Sequence, residues 1–337
     1  MNQQPTILYL SKQDLLELGG GTSHPYVAAV SRALELHAKK EIVQPLKPYL
    51  RVDEKNGHIA DRIIAMPAYV GGDVATSGIK WIGSKHDNPV KRGMERASGL
   101  IILNDPESNY PIAVLEASLI SGMRTAAVTV IGARHLAKPG FTTVSSIGCG
   151  VIAKMQLVSL LEQFDPIQTV HLFDLNPEAS KKLAAELKEQ FANVVVEVAE
   201  TVESAVRAAE VLITATVAAE PYIPFEWIGK GAFISNISIM DLHKDVFLHA
   251  DKVVVDDWDQ ANREKKVINQ LVLEGRFSRG QLHAELGEIV IGQKPGRESD
   301  DEIIVLNPMG MAIEDIASAA ELYRIAVVAN KGTRLPL

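Results

Sequence analysis

From residue 142 to residue 256 the apolar positions follow two alternating patterns. The short runs 142–147, 169–173, 194–198, 211–216, 232–237 and 253–256 are rich in β-branched residues and read as buried strands. Between most of them apolar residues recur at helical spacing, as in Val151, Ile152, Met155, Val158 and Leu161, until Phe164-Asp165-Pro166 breaks the pattern. Strands that are apolar on both faces, separated by helices, predict an open parallel sheet covered on each side.

The first 115 residues follow a different pattern. A helix over roughly 24–40 precedes strand-like runs at 46–52, 58–66, 74–81, 100–103 and 112–115. Asn56-Gly57, Gly71-Gly72 and Asp105-Pro106 punctuate these runs, so neighbouring strands can pair antiparallel through short turns. A long apolar helix over 116–138, stopped by Pro139-Gly140, connects the two regions. A last helix over 310–329 follows the final strand and is expected to pack back onto the first region.

The strand at 142–147 runs into Gly148-Cys149-Gly150-Val151-Ile152-Ala153, a Gly-x-Gly-x-x-small turn that opens a helix. The first glycine permits the tight turn and the second lets backbone approach a phosphate. The small Ala153 allows close helix–strand packing, and the free N–H groups of the helix N-terminus face the anion. The strand at 169–173 then ends in Asp174, about 24 residues beyond Gly150, where a carboxylate can accept hydrogen bonds from ribose hydroxyls. With no Arg beside it, Asp174 favours NAD over NADP, since a 2′-phosphate would meet a like charge. Asp174 can also cap the helix starting at Pro177. The expected architecture is α/β. A Rossmann-type doubly wound parallel sheet at 125–307 is expected to bind NAD, and 1–124 with 308–337 is expected to form a discontinuous α+β domain that binds substrate.

Composition narrows the partners. The 337 residues carry a net charge of −8 with no basic block, which argues against nucleic acid. One cysteine supplies neither a disulfide framework nor a zinc cluster and suits a reducing cytoplasm. No metal is assigned, no apolar run reaches membrane-spanning length, and Met1-Asn2-Gln3-Gln4-Pro5 does not read as a signal peptide.

Charge appears where it is costly. Arg124 lies inside the connecting helix among Ile120, Ala127 and Val128, so its guanidinium needs an anion, either a ligand carboxylate or phosphate or a structural acid. Lys80 sits in the alternating strand Gly78-Ile79-Lys80-Trp81-Ile82. With Lys47, Arg51, Lys85, His86, Lys91, Arg92 and Arg96 it concentrates cations in an acidic chain, as a pocket for a multiply carboxylated substrate would require. Asp241, beyond the strand at 232–237, stands where ligand crevices of doubly wound sheets lie. It could take a proton from water or cap the helix at 242–249; Asp256, Asp257 and Asp259 are weaker rivals, and Cys149 is a weak nucleophile candidate.

Ser121-Gly122-Met123-Arg124-Thr125-Ala126-Ala127, the turn Gly148-Cys149-Gly150, Ala284-Glu285-Leu286-Gly287-Glu288 and Gly310-Met311-Ala312-Ile313-Glu314-Asp315 together resemble the ornithine cyclodeaminase/mu-crystallin family. Gln44-Pro45-Leu46-Lys47-Pro48-Tyr49-Leu50-Arg51, Gly83-Ser84-Lys85-His86-Asp87-Asn88-Pro89 and Asn236-Ile237-Ser238-Ile239-Met240-Asp241 are similar to its siderophore-pathway branch. The resemblance implies a cytoplasmic, homodimeric, NAD-dependent oxidoreductase acting on a CH–NH bond. Its substrate would be a secondary amine built from glutamate, split into 2-oxoglutarate and 2,3-diaminopropionate. It further implies Lys80 and Asp241 as catalytic, with Arg51, Lys80, Arg124 and Met309 at the substrate. Arg96, Arg124, Thr125, Gly148, Gly150, Val151, Ile152, Asp174, Thr216 and Val217 would hold the cofactor. Ile239 stands where the cyclodeaminases have glycine, and the Pro-Gly-Lys that commonly follows the aspartate is missing, which weighs against proline formation. The alternatives are an ornithine cyclodeaminase or imino-acid reductase, and a nucleotide-binding protein without turnover.

Overall fold

The computed structural model describes residues 5–51, 61–238, 240–264 and 266–337. The chain divides into two compact units, Met1–Arg124 with Gly310–Leu337, and Thr125–Met309.

The sheet of the first unit runs from edge to edge through Thr333–Pro336, Thr6–Leu10, Pro111–Glu116, Ala97–Asn104, Thr76–Ser84, Arg62–Val70 and Ile42–Val43, with Tyr49–Leu50 paired on Arg62–Val70. Its central strands pair antiparallel through the expected turns at Gly71-Gly72 and Asp105-Pro106. The Asn56-Gly57 turn lies outside the described residues. Alternation sets the faces: Met66, Ala68 and Val70 are buried, while Ala65, Pro67 and Tyr69 are partly exposed. The helix Ala312–Ala329 lies over Arg62–Val70, Thr76–Ser84 and Ala97–Asn104, and the helix His24–Ala38 packs on it.

Several features differ from the sequence reading, among them the unexpected short strand Ile42–Val43. The strands Thr6–Leu10 and Thr333–Pro336 were not expected, and they pair with each other at the sheet edge. Among the described residues of the run expected at 46–52, strand is confined to Tyr49–Leu50, because Pro45 and Pro48 have no N–H to give a ladder; Val52 lies outside the described residues. The strand expected at 74–81 begins at Thr76 and continues to Ser84, after a turn in which Ala75 takes a positive φ of 38°.

The second unit holds an eight-stranded sheet in the order Val195–Val198, Thr169–Phe173, Thr143–Ile147, Val211–Thr214, Phe233–Asn236, Ile304–Leu306, Lys252–Val255 and Ala284–Glu285. Every pairing is parallel. Thr143–Ile147 is first in sequence yet lies between the second and the fourth strands, which makes its C-terminal end the topological switch point where such sheets bind nucleotides. The helix Ala117–Leu136 begins in the first unit and continues into the second, where Thr129 and Ser235 hydroxyls bond at 2.6 Å. Among the described residues no helix is long and apolar enough to cross a membrane.

Candidate active site

In the second unit the strand Thr143–Ile147 ends in Gly148, at a φ of +96° that only glycine takes without strain. A Cβ there would also lie 2.6 Å from the Ala215 carbonyl oxygen, so the turn and the end of the neighbouring strand approach each other closely. Gly150 is the N-cap of the helix Val151–Gln163 and offers it no side-chain bond. No atom lies within 4 Å of where a Gly150 Cβ would stand. Uncapped N–H groups beside open space are what a dinucleotide pyrophosphate requires. Val151 and Ile152 border this space, 68% and 38% exposed.

Asp174 ends the adjacent strand. Its two oxygens accept from the N–H groups of Cys149 and Asn176, both at 2.8 Å. It therefore fixes the glycine turn, and a carboxylate has acceptor positions beyond these two. The cap of the helix Pro177–Gln190 is Asn176, which corrects the capping role considered for Asp174. Cys149 is buried, and burial pushes its thiol up to about 11, so it is no nucleophile at neutral pH.

Asp241 is fully buried beyond the strand Phe233–Asn236. It does not cap the next helix, Lys244–His249, whose N-cap is His243. Instead Thr216 Oγ1 donates to Asp241 Oδ1 at 2.5 Å. Burial raises the Asp241 carboxyl above its ordinary range, against the hydroxyls of Thr216, Ser238 and Tyr222, which favour the charged form. Behind it Ser238 donates to Thr214, Thr214 to the Asn236 side-chain carbonyl, and Asn236 to Asn307, at 2.9, 2.6 and 2.5 Å. This buried chain of polar groups fixes the ends of three strands around Asp241. Val217 is exposed. Met309 donates its N–H to Asp256 at 2.8 Å, and its sulfur accepts from Lys266 at 3.2 Å. Asp256 thus holds backbone, Asp257 caps the short helix Trp258–Ala261, and Asp259 is exposed on that helix.

In the first unit Lys80 is 1% exposed on the helix-covered face of its strand. Its Nζ lies 2.6 Å from Asp315 Oδ2 and donates to Ser121 Oγ at 3.1 Å. Arg124, on the helix Ala117–Leu136, donates from Nε to Asp315 Oδ1 at 3.0 Å and from a terminal nitrogen to Glu314 at 2.7 Å. The structural acids that the sequence reading left unidentified are therefore Glu314 and Asp315, in the first turn of the helix Ala312–Ala329, where the helix dipole also favours them. Lys47, also buried, donates to the Gly310 carbonyl oxygen at 2.7 Å. A Cβ on Gly310 would lie 2.6 Å from an Arg124 terminal nitrogen, so glycine is required for the guanidinium to reach its acids.

Burial pulls the Lys80 ammonium down to about 8, assisted by the Arg124 and Lys47 charges and opposed by Asp315. Arg51 stacks over the Tyr49 ring at 4.6 Å. The rest of the expected cationic loop is mostly paired on the surface: Lys85 with Asp61, and Lys91 and Arg92 with Asp87. Arg96 is half-buried, and burial together with the nearby Arg62 charge lowers its pKa. Thr125 follows Arg124 on the connecting helix. The sequence reading missed roles for Ser121, Glu314, Asp315 and Tyr222. The one available signal was the pair of adjacent acids Glu314-Asp315 among the apolar residues of the first turns of a helix.

Comparison with known proteins places these features in one lineage. The sequence pattern of the ornithine cyclodeaminase/mu-crystallin family matches residues 22–329. The chain is 61% identical over 337 residues, all of both chains, to the N-((2S)-2-amino-2-carboxyethyl)-L-glutamate dehydrogenase of Staphylococcus aureus. Among solved structures, a Thermococcus litoralis Δ1-pyrroline-2-carboxylate reductase with NADH and L-proline superposes with a TM-score of 0.90 at 30% identity, over 97% of this chain and 99% of that one. An archaeal alanine dehydrogenase dimer with bound NAD gives a TM-score of 0.88 at 32% identity, over 98% and 99%. The chain belongs to the ornithine cyclodeaminase/mu-crystallin family.

Proposed function

We propose that this protein is an NAD-dependent dehydrogenase that oxidises N-((2S)-2-amino-2-carboxyethyl)-L-glutamate and hydrolyses the resulting imine to 2-oxoglutarate and L-2,3-diaminopropionate. The observation that carries this reading is the 61% identity, end to end, with the Staphylococcus aureus dehydrogenase of that compound.

The buried cations suit such a substrate. Lys47, Lys80 and Arg124 gather three positive charges around the carboxylates of Glu314 and Asp315, a setting in which a substrate carboxylate meets cations already held in place. Lys80 and Arg124 hold the carboxylate of the glutamyl half; Arg51 and Met309 are further substrate contacts. The Gly148-Cys149-Gly150 turn would hold NAD, with Asp174 as the residue for its ribose; Val151, Ile152, Thr216, Val217, Arg96, Arg124 and Thr125 would be the further cofactor residues. When bound, NAD supplies the oxidation by accepting hydride from the glutamyl α-carbon. The hydrolytic half of the reaction belongs to the protein's own groups. Asp241 accepts a proton from the water that adds to the iminium carbon, returns it to the nitrogen, and takes up the hydroxyl proton as the C–N bond of the carbinolamine breaks. One water is consumed, the carbon leaves as a ketone, and the nitrogen leaves as the amine of diaminopropionate. Lys80, kept cationic by Asp315, fixes the substrate and keeps the carboxylate charge from opposing the flow of electrons at the adjacent carbon.

Two further assignments rest on family likeness and chain features. A second copy covers the open face of the first unit's sheet, where Trp81 and Leu100 face out 47% and 44% exposed beside Ala65. The protein acts in the cytoplasm and supplies diaminopropionate to siderophore or related assembly, in keeping with its single buried thiol.

A substrate panel tests the reaction. Purified protein with NAD is expected to form NADH with the aminocarboxyethyl-glutamate, and not with L-ornithine, L-proline or L-alanine. Release of ammonia and proline from ornithine, with no net NADH because the cyclic imine takes the hydride back, would instead establish a cyclodeaminase.

A further inference from the structure

Tyr222 stands in an unusual relation to Asp241. The N–H groups of Tyr222 and Ile223 both donate to the Asp241 carbonyl oxygen, at 3.1 and 3.0 Å, and His243 N–H returns a bond to the Ile223 carbonyl at 2.9 Å. This one-rung bridge, Ile223 beside Leu242, locks the two backbones together. The side chains are less fully engaged. Asp241 Oδ1 is taken by Thr216, whose own oxygen accepts from Ala218 N–H at 3.1 Å. Asp241 Oδ2 is buried with no hydrogen bond among the described residues, and so is the Tyr222 hydroxyl. The two groups nevertheless lie close enough to act on each other's protonation.

Buried polar atoms left unpaired are costly. A hydrogen bond from the Tyr222 hydroxyl to Asp241 Oδ2 would satisfy both at once. The groups that face Asp241 are the hydroxyls of Thr216, Ser238 and Tyr222. Tyr222 in turn faces Asp241, Thr216 and, at longer range, the charge of Asp174. Burial and the Asp241 charge both push the phenol's pKa upward, so it remains a donor at any working pH. An ionised carboxylate offers about four acceptor positions, so Thr216 and Tyr222 together leave room for the substrate water.

We propose that Tyr222 is the positioning residue of Asp241: its hydroxyl donates to Oδ2, orients the buried carboxylate and keeps it ionised to receive the proton of the attacking water. The proposal rests on the role given to Asp241 above. It concerns this chain's own loop, Pro221-Tyr222-Ile223, rather than the glycine turn or the cationic cluster.

The test is Tyr222→Phe in the full-length protein, with two readouts. The first is the pH profile of kcat: the acidic limb is expected to move up by about one unit, equal to a tenfold change in proton affinity, with NAD affinity unchanged. The second needs no turnover. The carboxylic-acid infrared band of Asp241, assigned by its loss in Asp241→Asn, is titrated in both proteins and is expected to shift by the same amount in the same direction. A folded Tyr222→Phe protein whose infrared titration coincides with the parent's would overturn the proposal. If the parent forms no NADH from the amine while the infrared shift appears, the reaction assignment fails and the Tyr222–Asp241 coupling stands.

Discussion

Asp315 Oδ2 lies 2.6 Å from Lys80 Nζ, with both side chains withdrawn from solvent. The other oxygen of the same carboxylate takes Arg124, so one acid sets the position and the charge of two cations. Removing its charge while keeping its shape, by Asp315→Asn, leaves Lys80 and Arg124 repelling each other with one acid fewer to compensate. The expected cost is about 3–5 kcal/mol of stability, the usual penalty for breaking a buried ion pair, read by urea denaturation. Unchanged stability would mean that the ion pairs contribute little to the fold.

The same pair sets an alkaline limit. Lys80 must be protonated to hold a carboxylate, and burial brings its pKa to about 8. Activity is therefore present below that value and lost as pH rises through it, in kcat/KM, which reports the free enzyme. Asp315→Asn removes the anion that opposes this lowering, so its limb is expected at lower pH. Asp241 sets the opposite limit: it must be ionised, and burial raises its pKa, so activity is lost as pH falls through a value above the ordinary 3.8.

Lys80→Met is expected to abolish measurable turnover while leaving NADH affinity, read by fluorescence titration, within about twofold. The glycine turn belongs to the other unit, and the bonds of Lys80 run to Asp315 and Ser121. Retained turnover would remove Lys80 from the site.

Asp174→Asn preserves the shape but weakens the acceptor of the Cys149 and Asn176 N–H groups and of the ribose. NAD affinity is expected to fall by about tenfold, in line with roughly 1.5 kcal/mol for a hydrogen bond to a charged group. Discrimination against NADP should fall with it. Parallel titrations with the two nucleotides check both.

Much of this site could be read from the chain because it is written locally. The strand, glycine turn and helix at 143–163 and the acid that ends the next strand are contiguous patterns with one physical meaning. Lys80 and Arg124 stood out because a charge among apolar neighbours demands explanation. Their partners did not, since Glu314 and Asp315 are brought to Arg124 by the return of the last helix, and no local pattern records that return. The edge strands Thr6–Leu10 and Thr333–Pro336 were missed for the same reason: each is short, and they are neighbours only in the folded sheet. The capping roles weighed for Asp174 and Asp241 each failed by two residues: Asn176 caps one helix with its side chain and His243 starts the other without a side-chain bond, and a capping pattern does not by itself fix the helix start.

The central claim is oxidation followed by hydrolysis at one carbon. Its most direct measurement uses aminocarboxyethyl-glutamate deuterated at the glutamyl α-carbon, with NAD in 18O-water, and mass analysis of the products. The account predicts one deuterium in each NADH formed and one 18O atom in the keto group of each 2-oxoglutarate, with diaminopropionate in equal amount. No NADH, or NADH without release of diaminopropionate, would contradict it.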